Sequence, residues 1–188
     1  MAISHYQRIS TDTEISQAAA TLSRAPVIGL DTETTGLDPH TARLRLLQLA
    51  TPTQSFIVDL FETPLAQIQP LFELLAAPQP LKVAHNAKFD AKFLRKHCGI
   101  RLHGIFDTYL ASQLIAAGDE SVRHSLASVV QRWLGQSLDK EEQRSDWSSS
   151  TLSESQLDYA ARDAQVLLPL QVRLQEKLVE LELTRVAC

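Results

Sequence analysis

The sequence has no apolar run long enough to cross a membrane, only two cysteines, and no excess of basic residues. A bilayer-spanning helix takes about 20 apolar residues, and no stretch approaches that length. The first ten residues hold no long apolar segment of the kind that directs secretion. Cys98 and Cys188 lie far apart and outside any metal-ligand spacing. We therefore expect a reduced, cytoplasmic protein without membrane attachment.

The charge balance argues against a generally basic surface for nucleic acid. The chain of 188 residues is 44% hydrophobic, which suits one domain with a sizeable core, and its net charge is -4. A local basic track remains open, and its candidates are Arg43, Arg45, Lys88, Lys92, Arg95 and Lys96. The alternative is that these charges only solvate exposed faces.

Two acidic residues stand one position apart at the end of an apolar run. The run 27–30 is typical of a buried strand, and Asp31 and Glu33 follow it with one residue between them. Side chains alternate along a strand, so these two carboxylates point to the same face. At 4 Å they would repel by roughly 1 to 4 kcal/mol, depending on the dielectric. Metal chemistry is therefore the first hypothesis for the chain.

Hydrophobic patterning predicts a mixed sheet flanked by helices, an α/β fold. The predicted strands are 27–31, 44–50, 55–60, 81–84 and 105–106, the second and third joined as a hairpin. The predicted helices are 11–23, 65–77, 87–97, 108–116, 126–134 and 153–183. Gly99 is expected to end the third helix, and Pro169 to kink or interrupt the last one. The polar segment 138–150 is expected to be a loop.

Three later segments could bring further polar groups to the acidic pair. Asp90 follows the 81–84 strand, where ligand sites of α/β sheets gather, although a dipole or capping role explains a lone Asp there equally well. Tyr159 and Asp163 are four residues apart on a helix and share a face, although any helix can carry that pair. Asp107 precedes a helix, and capping accounts for it, with a supporting role at the site as the alternative.

Taken together, these segments resemble the DEDDy branch of the DEDD 3'-5' exonucleases. Asp31-Thr32-Glu33 matches the first motif, Asn86 through Asp90 the second, and Tyr159 with Asp163 the third. Segments 46–50, 104–108, 138–140 and 143–147 are similar to ribonuclease D and its relatives, including Werner-type exonucleases. The resemblance covers about residues 6–183 and implies a ribonuclease H-like fold with a five-stranded mixed sheet.

Two departures from this resemblance bear on function. Ribonuclease D carries helical C-terminal domains after its catalytic domain, whereas this chain reads as one catalytic domain over 1–188, which puts tRNA processing in doubt. Relatives commonly have Arg-Pro-Leu in the segment that follows Trp147, where this chain has Ser148-Ser149-Ser150-Thr151-Leu152. A basic contact in that loop is therefore expected to be missing.

The resemblance also assigns roles to the acidic set. It implies two divalent cations, Mg²⁺ or Mn²⁺, bridged by Asp31, with Glu33 and Asp163 at the first ion and Asp90 acting at the second. Carboxylate oxygens are hard ligands that suit such ions. Tyr159 is expected to orient the attacking water, since a pKa near 10 makes a tyrosine a poor base at neutral pH.

A second group of residues is expected to hold the strand end. Resemblance assigns Leu37 as a wedge against the last bases, and Thr32, His85, Asn86 and Phe89 as the lining of the pocket. A core position for Leu37 and helix packing for Phe89 are the alternatives. Further candidates for substrate contact are Lys140, Gln143, Arg144 and Trp147, and Trp147 could instead anchor its loop by packing.

The sequence thus predicts a metal-dependent 3'-5' exonuclease acting on single-stranded ends and releasing nucleoside 5'-monophosphates. The ribonuclease D-like segments favour RNA, and the Werner-type similarity keeps DNA possible. The alternatives are a nucleic-acid-binding module of the same fold that has lost turnover, and a metal-dependent endonuclease or phosphatase.

Overall fold

A computed structural model describes residues 6–138, 142 and 145–184. Its strands are β1 Tyr6–Arg8, β2 Val27–Thr34, β3 Leu44–Ala50, β4 Ser55–Asp59, β5 Leu81–Ala84 and β6 Ile105–Asp107. Its helices are α1 Asp12–Arg24, α2 Gln69–Ala76, α3 Lys88–Cys98, α4 Thr108–Ile115, α5 Leu126–Leu134 and α6 Glu154–Glu180. Within these described residues, no helix combines the length and apolarity needed to cross a membrane.

The strands form one mixed sheet in the order β1-β4-β3-β2-β5-β6. The neighbours β2–β3 and β3–β4 are antiparallel, which confirms the predicted hairpin, while β1–β4, β2–β5 and β5–β6 are parallel. The central strand β2 therefore has β3 on one side and β5 on the other. This order brings the carboxyl ends of β2 and β5 to the same edge of the sheet, where ligand sites of such folds form.

The prediction of five strands is wrong by one, because β1 adds a sixth strand at the sheet edge. Its three residues pair with β4, and the next residue continues the pairing through a hydrogen bond from Ile9 N to Ile57 O of 3.0 Å. Two of the three, Gln7 and Arg8, are exposed. A polar strand this short has no apolar alternation, so the sequence holds no signal for it.

The last helix, α6, begins as predicted but does not break at its proline. Ser153 accepts from the Gln156 backbone N–H, and the Gln156 side chain accepts from Ser153 N, which confirms the capping box. The prediction of an interruption at Pro169 is wrong, since the helix runs on to Glu180. Pro169 lies on the exposed side, and the flanking apolar residues are buried. Their burial offsets the roughly 3 kcal/mol that a proline costs inside a helix.

The two faces of the sheet bury different kinds of side chain. On one face, Ile28 and Leu30 of β2 pack in an apolar core with residues of α1, α2 and α3. The other face is covered by α6, whose N-terminal half packs on β3 and β4 through Leu157, Ala160 and Ala161. Because side chains alternate along β2, the residues under α6 are Gly29, Asp31 and Glu33.

Gly29 sets how closely α6 lies on the sheet. A Cβ added at Gly29 would collide with the backbone carbonyl oxygen of Ala164. A glycine is therefore required where the helix backbone rests on β2. The close approach brings Asp163, the neighbour of Ala164, over the strand that carries Asp31.

Candidate active site

The acidic residues of β2 and α6 line one cleft at the edge of the sheet. The cleft has a volume of about 360 Å³, and Asp31, Glu33, Tyr159 and Asp163 are among the residues that line it. Asp31 and Glu33 are half-buried on the face of β2 that α6 covers, and Asp163 is buried on α6. The structure thus brings together four of the five residues predicted to be catalytic.

The fifth residue, Asp90, reaches the same acidic group from the other side of β2. It lies in the first turn of α3, is buried, and accepts a hydrogen bond of 2.6 Å from the Thr32 hydroxyl. Asp90 and Asp31 are close enough that Asp90 is the largest charge acting on Asp31. The Thr32 hydroxyl is therefore engaged in holding Asp90, and its predicted contact with substrate remains a prediction.

Burial raises the pKa values of all four acids. Desolvation is the main cause in each case, and neighbouring carboxylates add to it at Asp31 and Glu33, whose pKa values lie well above their usual range. The pKa of Asp90 is raised to about 7 by burial, although its bond from Thr32 opposes the shift. The pKa of Asp163 is raised to about 6 by burial, opposed by the Tyr159 hydroxyl and by Arg162. The site therefore holds more negative charge than it can stabilise alone.

Oxygen donors of this kind suit a hard divalent cation, but their positions do not form a complete coordination site. Within the parts of the chain that the structure describes, no three His, Cys, Asp or Glu side chains are close enough to hold an ion as they stand. The acids surround the cleft and interact through their charge without converging on one point. Their chemistry fits a cation, and closing around one would require side-chain adjustment.

Tyr159 is held beside these acids in its neutral form. Its pKa is raised by burial and by the negative charge of Asp163, Glu33 and Asp31. A neutral phenol can donate or accept one hydrogen bond but does not remove a proton at neutral pH. This agrees with the predicted orienting role and argues against a role as base.

His85 is fixed by hydrogen bonds at both ring nitrogens. Nε2 lies 2.9 Å from the carbonyl oxygen of His124 and must donate to it, since a carbonyl only accepts. Burial lowers the pKa of His85, which favours the neutral ring. Nδ1 lies 2.9 Å from Oγ1 of Thr108, whose hydroxyl also donates to the carbonyl oxygen of Ala84 at 3.1 Å. The ring lines the cleft, as predicted, but offers no free nitrogen to a metal or a proton.

Asn86 is held at the cleft by a neighbouring aspartate. Its φ of 61° is left-handed, and its backbone N–H donates to Asp107 Oδ1 at 2.9 Å. Asp107 also accepts from the backbone of Ala87 and caps α4 through Tyr109 N. The predicted capping role is confirmed, and the same carboxylate orders the turn that carries Asn86 into the cleft lining.

Leu37 and Phe89 differ sharply in exposure. Leu37, in the turn after β2, is 86% exposed, so the alternative of a core position is wrong. Phe89 is half-buried against the apolar core, with its ring 5.0 Å from that of Phe93, which confirms the packing alternative. Leu37 is therefore free of packing, whereas Phe89 already has a structural role. Substrate contact remains a prediction for both.

Part of the cleft lining was not predicted. It comes from α4, from the segment before α5 and from the start of α5, and includes Tyr109, His124 and Ser125. The ring of Tyr109 stands edge-on to His85 and to His124, with ring centroids 5.7 and 6.1 Å away. These residues are far apart in sequence and carry no common motif, so only the fold brings them together.

The loop leading into α6 is anchored by a basic residue of β3, while the expectation that the loop itself lacks a basic contact stays a prediction. Arg45, 1% exposed, donates to the carbonyl oxygen of Ser149 at 2.6 Å and pairs with Asp59 at 2.8 Å. Trp147 in this loop is buried, with its ring 6.4 Å from that of Tyr159, which confirms the packing alternative. Residues 140, 143 and 144 lie outside the described residues.

The candidate basic track divides into two parts. Arg45 is buried in its ion pair and cannot belong to it, and the Arg43 guanidinium stacks on Phe61 at 3.8 Å. The basic residues of α3 are exposed, and they are Lys88, Lys92, Arg95 and Lys96. Their spacing places them on one face of the helix, pointing away from the core.

The fold and this site define the class of protein. The chain belongs to the 3'-5' exonuclease family, whose model matches residues 6–179. Its six-stranded mixed sheet, flanked by helices, is the ribonuclease H-like fold that the resemblance implied.

Two curated relatives show how widely the domain is used. A DNA polymerase I from Aquifex aeolicus is 38% identical over 180 residues, which are 96% of this chain and 29% of that protein. A ribonuclease D from Nitrobacter hamburgensis is 32% identical over 155 residues, which are 82% of this chain and 40% of that protein. The chain therefore spans less than half the length of these relatives.

Solved structures support the same relationship. Escherichia coli RNase D, described as an exoribonuclease involved in structured RNA processing, superimposes with a TM-score of 0.87 at 27% identity, over 97% of this chain and 48% of that chain. Brucella melitensis NrnC with bound Mg²⁺ superimposes with a TM-score of 0.79 at 26% identity, over 97% of this chain and 84% of that chain. The same nuclease bound to pGG gives the same TM-score of 0.79.

Proposed function

We propose that this chain is a metal-dependent 3'-5' exonuclease that releases nucleoside 5'-monophosphates from single-stranded 3' ends. The observation that carries the proposal is the meeting of Asp31, Glu33, Tyr159 and Asp163 in one cleft, with Asp90 coupled to them by charge. Family membership over residues 6–179 supports it, and supports treating the chain as one catalytic domain.

The four carboxylates are the proposed ligands of two divalent cations, Mg²⁺ or Mn²⁺. Their formal charge of about -4 matches two doubly charged ions, and the Mg²⁺ bound to the similar NrnC structure supports this choice. When bound, such ions would lower the pKa of a coordinated water and stabilise charge on the attacking and leaving oxygens. Asp31 would be central among these ligands, because the charges of the other three acids all act on it.

Tyr159 is the proposed positioning group for the attacking water. Its neutral hydroxyl is held close to Asp163 and keeps its proton throughout. Its part is to orient the water by a hydrogen bond. Trp147 packs beside it, and the Arg45 contact to Ser149 O holds the loop that carries Trp147. Placement of the tyrosine therefore depends on that loop.

The part of the cleft beside the acids is the proposed site for the terminal nucleotide. His85, Asn86 and Thr32 remain its proposed lining, with Tyr109 and His124 added as aromatic surfaces on which a base can stack. Leu37 is exposed and available to separate the last bases, while a direct role for Phe89 is secondary to its packing.

RNA is the favoured substrate, with DNA as the alternative. The similarity to ribonuclease D supports RNA, and the similarity to a DNA polymerase I keeps DNA in view. Matched RNA and DNA single strands, tested at equal salt and metal, would separate the two through the 2'-hydroxyl.

The direct test compares 3'-labelled and 5'-labelled single strands of one sequence, with Mg²⁺ or Mn²⁺. We expect immediate release of labelled mononucleotide from the 3'-labelled strand and a ladder of shortening products from the 5'-labelled one. A chelator or Asp31→Asn should stop both, whereas Asp119→Asn, an exposed loop position, should not. Activity that persists in chelator would contradict the mechanism, and cleavage of circular single strands would favour an endonuclease.

A further inference from the structure

One buried side chain next to the acidic cluster has no partner. Gln48 of β3 is directly opposite Asp31 of β2 in the antiparallel ladder. Residues opposite each other in such a ladder project from the same face, with Cβ atoms about 4.5 to 5.5 Å apart. Gln48 therefore lies under α6 beside Asp31. It is 0% exposed, and neither atom of its amide group has a hydrogen-bond partner.

An amide in this position is unfavourable unless something else requires it. A buried polar group without a partner costs about 1–3 kcal/mol, and an apolar side chain of the same shape would avoid that loss. The rest of this face near Gln48 is apolar or small, including Ile57 across the ladder and Ala160 on α6. The amide is thus the exception in a layer that would otherwise pack as a plain core.

Asp31 is the acceptor best placed for this amide. Among the described residues, the hydrogen bond that lowers the pKa of Asp31 comes from the backbone of Thr32, and no side chain supplies another. A carboxylate has room for about four hydrogen bonds, so an oxygen of Asp31 can accept from the Gln48 N–H while the other oxygen remains free.

Ser55 is the competing partner on the same face. It is opposite Ala50 in the β3–β4 ladder, two positions along from Gln48, and its buried hydroxyl also has no partner. A Gln48–Ser55 pair would be purely structural, because Ser55 is on β4, one strand further from the acids.

We infer that Gln48 is a positioning residue for the cation site. Its side-chain N–H donates to the Asp31 carboxylate when that group binds a divalent cation, and so fixes which oxygen faces the cleft. The inference rests on the proposed function, since it assigns Gln48 a part in the same site. Partners that orient a metal ligand in this way typically change affinity or activity by about 10- to 100-fold when removed.

The test compares Gln48→Met, which keeps an unbranched side chain but removes the donor, with Ser55→Ala as the matched control. Mn²⁺ affinity is measured by calorimetry, the unfolding temperature in chelator by fluorescence, and kcat and KM on a labelled single strand. For Gln48→Met we expect Mn²⁺ affinity lower by about tenfold or more, a lower kcat with a similar KM, and an unfolding temperature in chelator unchanged or higher. Ser55→Ala should leave Mn²⁺ affinity unchanged.

Other results would overturn the inference. Unchanged Mn²⁺ affinity in Gln48→Met would do so, and so would an equal loss in Ser55→Ala. A marked fall of the Gln48→Met unfolding temperature in chelator, or failure to fold in both Gln48→Met and Gln48→Leu, would show a structural role instead. If the wild-type chain neither binds Mn²⁺ nor releases nucleotides, the proposed function itself fails, and that result is distinguishable because it needs no variant.

Discussion

The two faces of strand β2 carry opposite kinds of chemistry within a few residues. Ile28 and Leu30 point into an apolar core with α1, α2 and α3, where both are 0% exposed. Gly29, Asp31 and Glu33 point towards α6, where two carboxylates meet a third on the helix. Burial in the protein therefore lowers the free energy of the side chains on one face and raises the free energy of the carboxylates on the other.

The difference shows where this fold places its stability and where it places its chemistry. Full burial of a leucine or isoleucine contributes about 1.5–3 kcal/mol. A close pair of like charges opposes folding by roughly 1 to 4 kcal/mol, depending on the local dielectric. The free energy gained by burial on the apolar face is thus large enough to offset the repulsion on the acidic face, which is unfavourable until a cation binds.

The largest contrast should come from neighbouring substitutions on the two faces. Asp31→Asn should abolish nucleotide release, well beyond the 10- to 100-fold typical of residues that only support a ligand. It should also stabilise the protein in chelator, because one repelling charge is removed. Leu30→Ala should instead destabilise the fold by about 2–5 kcal/mol. Activity assays and denaturant unfolding on both variants measure this contrast.

The contrast between the two faces would be contradicted if Asp31→Asn and Leu30→Ala had the same effect on stability and activity. An Asp31→Asn variant that is less stable in chelator than the wild type would mean that the carboxylate contributes to the fold rather than opposing it. Retained activity in that variant would remove Asp31 from the mechanism.

A second prediction concerns Arg45, a charged residue that does stabilise the structure. Arg45→Met should destabilise the protein by about 3–5 kcal/mol, because it leaves the buried Asp59 unpaired and frees the Ser149 carbonyl. It should also lower kcat through the loop that carries Trp147. Urea unfolding and single-turnover assays provide the measurement.

Arg43→Met is the matched control, since the guanidinium groups of Arg45 and Arg43 both stack on Phe61, at 4.4 and 3.8 Å, but Arg43 is exposed. We expect a change below about 1 kcal/mol. Equal effects at both positions would show that stacking, rather than the ion pair, anchors the loop.

A third prediction is a pH dependence that appears only without metal. The pKa values of the acids are higher in the folded state, about 7 for Asp90 and about 6 for Asp163, than their ordinary value of 3.8. The folded state therefore binds more protons between these values, and stability falls as pH rises from about 4 through 7. Urea unfolding in chelator should give a lower free energy at pH 8 than at pH 5.

Saturating Mg²⁺ should remove most of this pH dependence, and Asp31→Asn should reduce it in chelator. A chelated wild-type protein that becomes more stable between pH 5 and pH 8 would contradict the raised pKa values on which the acidic-face argument depends.

The smallest effect is expected on the outer surface of α3. If its exposed basic residues follow the nucleic-acid backbone, the double variant Lys88→Ala with Lys92→Ala should bind single strands more weakly. The slope of log affinity against log salt should become shallower by about 1.4, from about 0.7 per charge. Lys177→Ala, a lysine paired with Glu180 at the far end of α6, is the control. An equal slope in the double variant and the wild type would show that the basic residues of α3 do not contact the nucleic acid.

Local rules were enough to predict the parts of the site that depend on spacing. Alternation along a strand places Asp31 and Glu33 together, and the four-residue spacing places Tyr159 on the face of Asp163. The order of these motifs, read as a resemblance, also predicted the fold class. The exposure of Leu37 and the capping by Asp107 agree with interpretations that the sequence left open.

The rest depends on contacts between distant segments, which have no local signature. The edge strand β1 exists because β4 offers a partner, and α6 continues through Pro169 because its neighbours are buried. The Arg45 contact to Ser149 spans 104 positions, and the isolated Gln48 becomes notable only once its register with Asp31 is known. Such features require the fold before they can be recognised.

The most direct test of the central claim is a calorimetric titration of the chelator-stripped wild-type chain with Mn²⁺, repeated on Asp31→Asn. The account predicts two bound ions per chain, a higher unfolding temperature at saturation, and loss of both effects in the variant. A wild-type chain that binds no Mn²⁺, or an Asp31→Asn variant that binds it equally well, would contradict the account.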